Sequence, residues 1–144
     1  MKPLNIIVAE DNDDHAEMIV DALQDYNPEN KVIRFRNGEQ LISHLQDLKQ
    51  QKVAKHLLPN LILLDIKMPL MDGFEALKLI KDDETIKHIP IMMVSTSENA
   101  LDIEQSYKYG ANSYIVKPFD YTDFTKKIVE VNRFWAATSE LPKP

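Results

Sequence analysis

The chain has no cysteine in its 144 residues, only three glycines, no long apolar run and no excess of basic side chains. Without cysteine there is no disulfide framework, no thiolate nucleophile and no Cys-ligated zinc, a usage that fits a reducing compartment. Dinucleotide and P-loop sites need two or three glycines at fixed spacing so that backbone can approach phosphate. Gly38, Gly73 and Gly110 lie far apart, which excludes both. Lys+Arg 17 against Asp+Glu 23 leaves a net charge of -6 and a pI near 5.2. Nucleic-acid binding takes a concentrated basic face, so no nucleic-acid partner is expected. Apolar runs stop well short of the roughly 18 to 20 residues that cross a bilayer. The opening Met1 to Glu10 turns to charge too early for a signal peptide. The expectation is a soluble, cytoplasmic protein without a membrane partner. At 44% hydrophobic, the chain is long enough for one domain with a real core and too short for two.

What is present is a strand and helix rhythm. Continuous apolar runs at Leu4–Ala9, Leu61–Leu64 and Ile91–Val94 suit strands covered on both faces, as in a parallel sheet. Further strands are predicted at Lys31–Phe35 and at Ser113–Lys117, the latter after Gly110, which can end a helix in the left-handed conformation. Residues 13–26 place Ala16, Ile19, Val20, Leu23 and Tyr26 on one helical face, with Asp11, Asn12 or Asp13 available as cap. The same spacing predicts helices over 38–51, 73–82, Glu98–Tyr109 and about 120–137. Strand and helix alternating five times imply a parallel sheet with right-handed crossovers and helices on both faces, an α/β fold.

Ligands of such sheets bind outside the carboxyl ends of the strands. There the first run stops at Glu10-Asp11, the third at Asp65, the fourth at Ser95-Thr96-Ser97 and the fifth at Lys117-Pro118. Three carboxylates held close repel one another unless they share a cation, and hard oxygen ligands suit Mg²⁺. Lys117 adds a fixed positive charge and Ser95 a hydroxyl. Metal, lysine and hydroxyl together match phosphoryl transfer, which needs positioning and charge neutralisation. Asp65, ending the most apolar strand, is the candidate acceptor. Singly, each has an ordinary explanation: the acids at 10–14 cap a helix, Asp65 is a loop carboxylate, and Lys117 is a solvated strand end. Four such residues at strand ends are less easily dismissed. Asp72-Gly73 reads as a turn near a helix start. His15, His44, His56 and His88 lack metal spacing and read as surface or packing residues. Met68, Met71, Met92 and Met93 read as core or loop filling.

Four segments, Val8–Asp13, Leu63–Gly73, Met93–Ser97 and Gly110–Phe119, resemble the receiver domain of two-component response regulators in order and spacing, from residue 4 to about 137. The resemblance implies a flavodoxin-like, doubly wound five-stranded parallel sheet of order 2-1-3-4-5 with five helices. It implies that Asp65 accepts phosphate from a partner sensor histidine kinase. Mg²⁺ would be held through Glu10, Asp11, Asp65 and the backbone carbonyl of Lys67. Ser95 would turn toward the acyl phosphate, Tyr114 would change rotamer with it, and Lys117 would pair with the phosphoryl oxygens across a cis Lys117-Pro118 bond. A new dianion would then shift the surface between the fourth and fifth helices. Thr96 is larger than the Ala or Gly often found beside the hydroxyl switch and would narrow access to Asp65. Lys67 and Ser97 occupy the variable positions flanking the phosphate, and Lys67 is expected to alter its lifetime.

After Phe119 only 25 residues remain, so a stand-alone receiver is expected, with the domain over 1–137 and a flexible tail over 138–144. Its output would be protein contact, with Tyr107, Tyr109, Phe134 and Trp135 as candidate anchors. The ending Asn132-Arg133-Phe134-Trp135 and the polar stretch 46–58 look like the single-domain regulators paired with bacterial phytochrome kinases. Some of these dimerise, here through the fourth to fifth helix face and Phe134 and Trp135. Two rivals are a receiver-like binding module that is never phosphorylated and a haloacid-dehalogenase-type phosphatase. The latter needs a second Asp two residues after the first, where Lys67 stands.

Overall fold

A computed structural model describes residues 2–138. Five strands, β1 (Asn5–Ala9), β2 (Lys31–Phe35), β3 (Leu61–Leu64), β4 (Ile91–Ser95) and β5 (Ser113–Val116), alternate with α1 (Asp13–Tyr26), α2 (Gly38–Gln50), α3 (Gly73–Lys81), α4 (Ala100–Lys108) and α5 (Tyr121–Arg133). All strand pairs are parallel, and the order is β2-β1-β3-β4-β5, the expected doubly wound α/β sheet. A 3-10 turn at Lys55–Leu57 precedes β3, and α5 runs on into a π-helical turn at Phe134–Thr138. Of the tail expected at 138–144, residues 139–144 lie outside the described residues.

The apolar runs form strands because the sheet buries both faces, and alternate side chains feed two cores. Ile7, Ala9, Ile62, Leu64, Ile91 and Met93 pack under α2 and α3, against Leu41, Leu45, Leu77 and Ile80. Ile6, Val8, Leu61, Leu63 and Val94 face the other way, against Ile19 and Leu23 of α1 and Phe124 and Ile128 of α5. Each fully buried side chain of this size contributes about 1.5–3 kcal/mol relative to exposure. By contrast α4 wholly buries only Ser106 and leaves Leu101 and Tyr107 exposed, so little apolar contact fixes its position.

Caps set the helix starts. Asn12 accepts from the His15 amide at 3.0 Å, deciding among the three candidate caps. Asp72 and Glu75 form a reciprocal capping box on α3, in keeping with the turn read at Asp72-Gly73. Asn99 caps α4, which therefore begins at Ala100 and not at Glu98. Gly110 ends α4 with φ +103, the left-handed value its missing Cβ permits. At the other end of the domain Arg133 closes α5. The wider π turn then brings Trp135 over the sheet, where its indole N–H meets the Met92 sulfur at 3.2 Å, while Phe134 stays exposed. The cis bond expected at Lys117-Pro118 is corrected: no cis peptide occurs among the described residues, trans being the isomer X-Pro bonds favour by about 0.5–1 kcal/mol.

Candidate functional site

Register assembles the site. Ala9 pairs with Phe35 of β2 and Leu64 of β3, so the residues that follow, Glu10 and Asp65, leave the sheet side by side. Main-chain bonds prolong the ladder: the Glu10 amide donates to the Phe35 carbonyl and the Asp65 amide to the Ala9 carbonyl, both at 3.0 Å. On the far side Ser95 pairs with Val116, and the Lys117 amide donates to the Ser95 carbonyl at 2.7 Å. Behind Asp65 the chain folds back tightly. A Cβ on Gly73 would stand 2.1 Å from the Asp65 carbonyl oxygen, so no larger residue fits while Asp65 keeps its place. The loop between them turns through Leu70, with φ 68 and the Met71 amide on the Pro69 carbonyl at 2.7 Å, a strained γ-turn beside the acids.

Four expected residues meet there. Glu10, Asp65, Ser95 and Lys117 are buried polar groups at the carboxyl ends of the strands, and Asp11 is exposed at the rim. The Lys117 ammonium donates to Glu10 Oε1 and, at 3.2 Å, to Asp65 Oδ2. Asp65 Oδ1 accepts from the Ile66 amide at 2.8 Å, and Glu10 Oε2 from the Asn12 amide at 3.1 Å. One carboxylate oxygen from each of Glu10, Asp11 and Asp65 lies within 4.8 Å of the other two. With all three acids ionised, one ammonium leaves the pocket two negative charges in excess. Hard, negative, close-set oxygens are the donor set a small divalent cation takes.

Tyr114, Thr96 and Lys67 stand further out. Tyr114 is half-buried on β5, and its hydroxyl donates to the Ser97 carbonyl at 2.9 Å. Ser95 Oγ accepts from the Ser97 amide at 3.1 Å, and Ser97 Oγ donates to Asp102 on α4 at 2.7 Å, so Ser95, Tyr114 and α4 all meet at Ser97. Thr96 and Lys67 are exposed, and Lys67 lines with Asp11, Ile66, Met68, Pro69, Asp72 and Phe74 a cleft of about 610 Å³.

Two residues of the site escaped sequence reasoning. The Arg34 guanidinium places Nε and Nη2 at 2.9 and 2.7 Å from the Glu10 carbonyl and pairs with Asp13, which also holds Arg36. Those two arginines hold the Asp13 carboxyl below its usual range. His15, read as an ordinary surface or packing histidine, brings Nδ1 to 3.1 Å from Lys117 Nζ. Burial first and then the Lys117 charge lower its pKa. His15 and Lys117 are 102 residues apart, and no local pattern signals a contact across that distance.

Burial first, and then the negative charge of Asp65, push the Glu10 carboxyl up to about 7 against the pull of Lys117. A folded pKa raised from 4.5 to about 7 gives stability that is full below pH 4.5 and lost as pH rises through 7, on the order of 3 kcal/mol. A divalent cation competes with that proton. In chelator, urea denaturation of the parent should therefore show stability falling between pH 5 and pH 7.5 relative to Glu10→Gln. Mg²⁺ should restore more stability at pH 7.5 than at pH 5.5. Parallel pH curves for the two proteins would refute the assignment to Glu10.

Comparison with known proteins agrees with this geometry. The model of the response regulator receiver domain matches residues 6–129. Response regulator Rcp1 of Synechocystis sp. is 31% identical over 140 residues, 97% of this chain and 94% of its own. The probable methanogenesis regulatory protein FilR2 of Methanothrix harundinacea is 29% identical over 142 residues, 99% of this chain and 90% of its own. Among solved structures, the phosphorylated cyanobacterial phytochrome response regulator RcpA matches with a TM-score of 0.88 at 32% identity, covering 99% of this chain and 100% of the other. The Mn²⁺-bound form of Rcp1 matches with 0.86 at 30%, covering 98% and 100%. No helix among the described residues is long and apolar enough to cross a membrane.

Proposed function

The chain belongs to the response regulator receiver domain family, and from this we propose that it is a phosphorylation-dependent signalling protein whose acceptor is Asp65. The phosphoryl donor is the phosphohistidine of a partner sensor kinase. A carboxylate oxygen of Asp65 attacks phosphorus, the N–P bond breaks, and the imidazole nitrogen leaves with the electron pair. One observation carries this reading: Asp65 Oδ2 lies 3.2 Å from the Lys117 ammonium while a carboxylate oxygen from each of Glu10 and Asp11 comes within 4.8 Å of one from Asp65.

Glu10, Asp11 and Asp65, with the Lys67 carbonyl, are the residues to hold Mg²⁺. When bound, the cation supplies charge neutralisation for phosphoryl oxygens. The chain's own part is orientation. Lys117 carries a buried positive charge toward the phosphoryl oxygens, and the Ile66 amide steadies the second Asp65 oxygen. The Ser95 hydroxyl turns toward the new dianion and, through Ser97, carries the change to Tyr114 and Asp102 of α4. Thr96 limits access, and exposed Lys67 alters the lifetime of the acyl phosphate by hindering water.

RcpA is a phytochrome response regulator, which supports a phytochrome-type sensor kinase as partner. Phosphorylation acts on a face between α4 and α5 where Leu101, Tyr107 and Phe134 expose apolar surface, suited to a second copy of the chain. Incubation with acetyl phosphate and Mg²⁺ should add the mass of one phosphoryl group, mapped to the peptide that holds Asp65. No gain from acetyl phosphate, phosphoramidate or a cognate kinase would leave a receiver-like binding module instead.

A further inference from the structure

We infer that His15 is a positioning residue for Lys117: its imidazole accepts one of the three ammonium N–H bonds and so fixes where the other two point. This rests on the phosphoacceptor function proposed for Asp65. An ammonium has three donors and no acceptor. Lys117 spends its donors on Glu10 Oε1, on Asp65 Oδ2 at 3.2 Å and on His15 Nδ1 at 3.1 Å. Since Nζ has no lone pair to offer, a contact this close makes Nδ1 the acceptor and places the ring proton on Nε2.

The residue is fixed at three points, one on its backbone and two on its ring. Its backbone amide is fixed by the Asn12 cap at 3.0 Å. Its edge rests on Phe124, buried in α5, with centroids 6.3 Å apart and planes at 65°. Lys117 is the third. The imidazole remains 31% exposed, so it is a fixed acceptor at the rim of a buried pocket and not part of either core.

Its effect follows from the alternatives open to the ammonium. With His15 in place, Glu10 and the imidazole retain Lys117 while the third N–H passes from Asp65 Oδ2 to a phosphoryl oxygen as that oxygen becomes part of the acyl phosphate. Without it, two carboxylates are the remaining partners. The cation then settles onto them, quenches the Asp65 charge that must attack phosphorus and is aimed less well at the incoming group. His15 therefore acts through Lys117 on the rate of phosphoryl uptake.

A pair of substitutions separates positioning from mere padding of Phe124. His15→Asn presents an amide oxygen near the place of Nδ1 but has no ring. His15→Leu pads the aromatic face but accepts nothing. With phosphoramidate as donor and saturating Mg²⁺, His15→Leu should be phosphorylated about 3- to 10-fold more slowly than the parent, the rate equivalent of one lost hydrogen bond. His15→Asn should stay within about twofold of the parent. Any result in which the Asn variant is not faster than the Leu variant overturns the proposal. Should the parent itself take up no phosphoryl group, the proposed function fails, and the contact is tested separately by ¹⁵N NMR of the imidazole. There the Nε2–H tautomer is expected, with an Nδ1 shift that moves in Lys117→Met. An Nδ1 resonance indifferent to that substitution overturns the contact as well.

Discussion

Asp65→Asn should take up no phosphoryl group from acetyl phosphate and, in chelator at pH 7.5, should be more stable than the parent by on the order of 1 kcal/mol. The first result follows from the proposed function, in which the anionic oxygen of Asp65 attacks phosphorus. The second needs the opposing effects weighed. Neutralising Asp65 forfeits its attraction to Lys117 at 3.2 Å, a loss limited because Lys117 retains Glu10 as partner. Against that, the variant is spared the desolvation of a buried carboxylate and the repulsion of two further acids within 4.8 Å. At an effective dielectric near 20, each close charge pair is worth a few kcal/mol, so two repulsions and the burial cost together exceed one attraction. Glu10 also loses the charge that ranks next after burial in raising its pKa, and ionises more readily. The same change removes an acidic ligand, so Mg²⁺ should stabilise the variant less than the parent. Urea denaturation with chelator and with Mg²⁺ checks both. A variant several kcal/mol less stable than the parent in chelator would show that the Lys117 pairing outweighs the crowding.

The same balance marks how far the site was legible beforehand. Asp65 and Lys117 were readable because a doubly wound sheet collects its strand ends in one place, and the strands announce themselves by unbroken apolar runs such as Leu61–Leu64. Element ends were less so. Strand β4 runs one residue past the predicted Val94 because Ser95, though polar, still pairs with Val116. The last helix, expected over about 120–137, ends its regular α turns at Arg133, where docking of Trp135 on Met92 decides the geometry. Arg34 and His15 had no readable signal. Their roles depend on a guanidinium crossing to the next strand and an imidazole reaching the end of β5, contacts made only once the sheet is assembled.

Lys117→Met should cost about 3–5 kcal/mol in chelator at pH 8, the usual penalty for removing one partner of a buried ion pair. Methionine keeps much of the stem's volume in a site only 5% exposed, so the loss measures charge more than packing. The dependence on pH identifies its origin. Lys117 is the influence that lowers the Glu10 pKa, and without it the carboxyl rises beyond the parent's value of about 7. At pH 6 Glu10 is then largely protonated in both proteins, and the variant leaves one buried carboxylate without its cation. At pH 8 the parent has two ionised carboxylates sharing the ammonium, and the variant must either crowd them together or hold a proton against the solvent. The penalty should therefore be larger at pH 8 than at pH 6. Divalent affinity should move the other way. Once the cation displaces any Glu10 proton, the acids face it with one more uncompensated negative charge than in the parent, so Mg²⁺ should bind more tightly to the variant and restore more stability than it gives the parent at equal concentration. Phosphoryl uptake should still fall, because tighter cation binding does not replace a donor aimed at the transferred group. Calorimetric titration with Mg²⁺, read beside denaturation at the two pH values, checks each step. Weaker Mg²⁺ binding in the variant would mean that Lys117 organises the acids for the metal instead of competing with it.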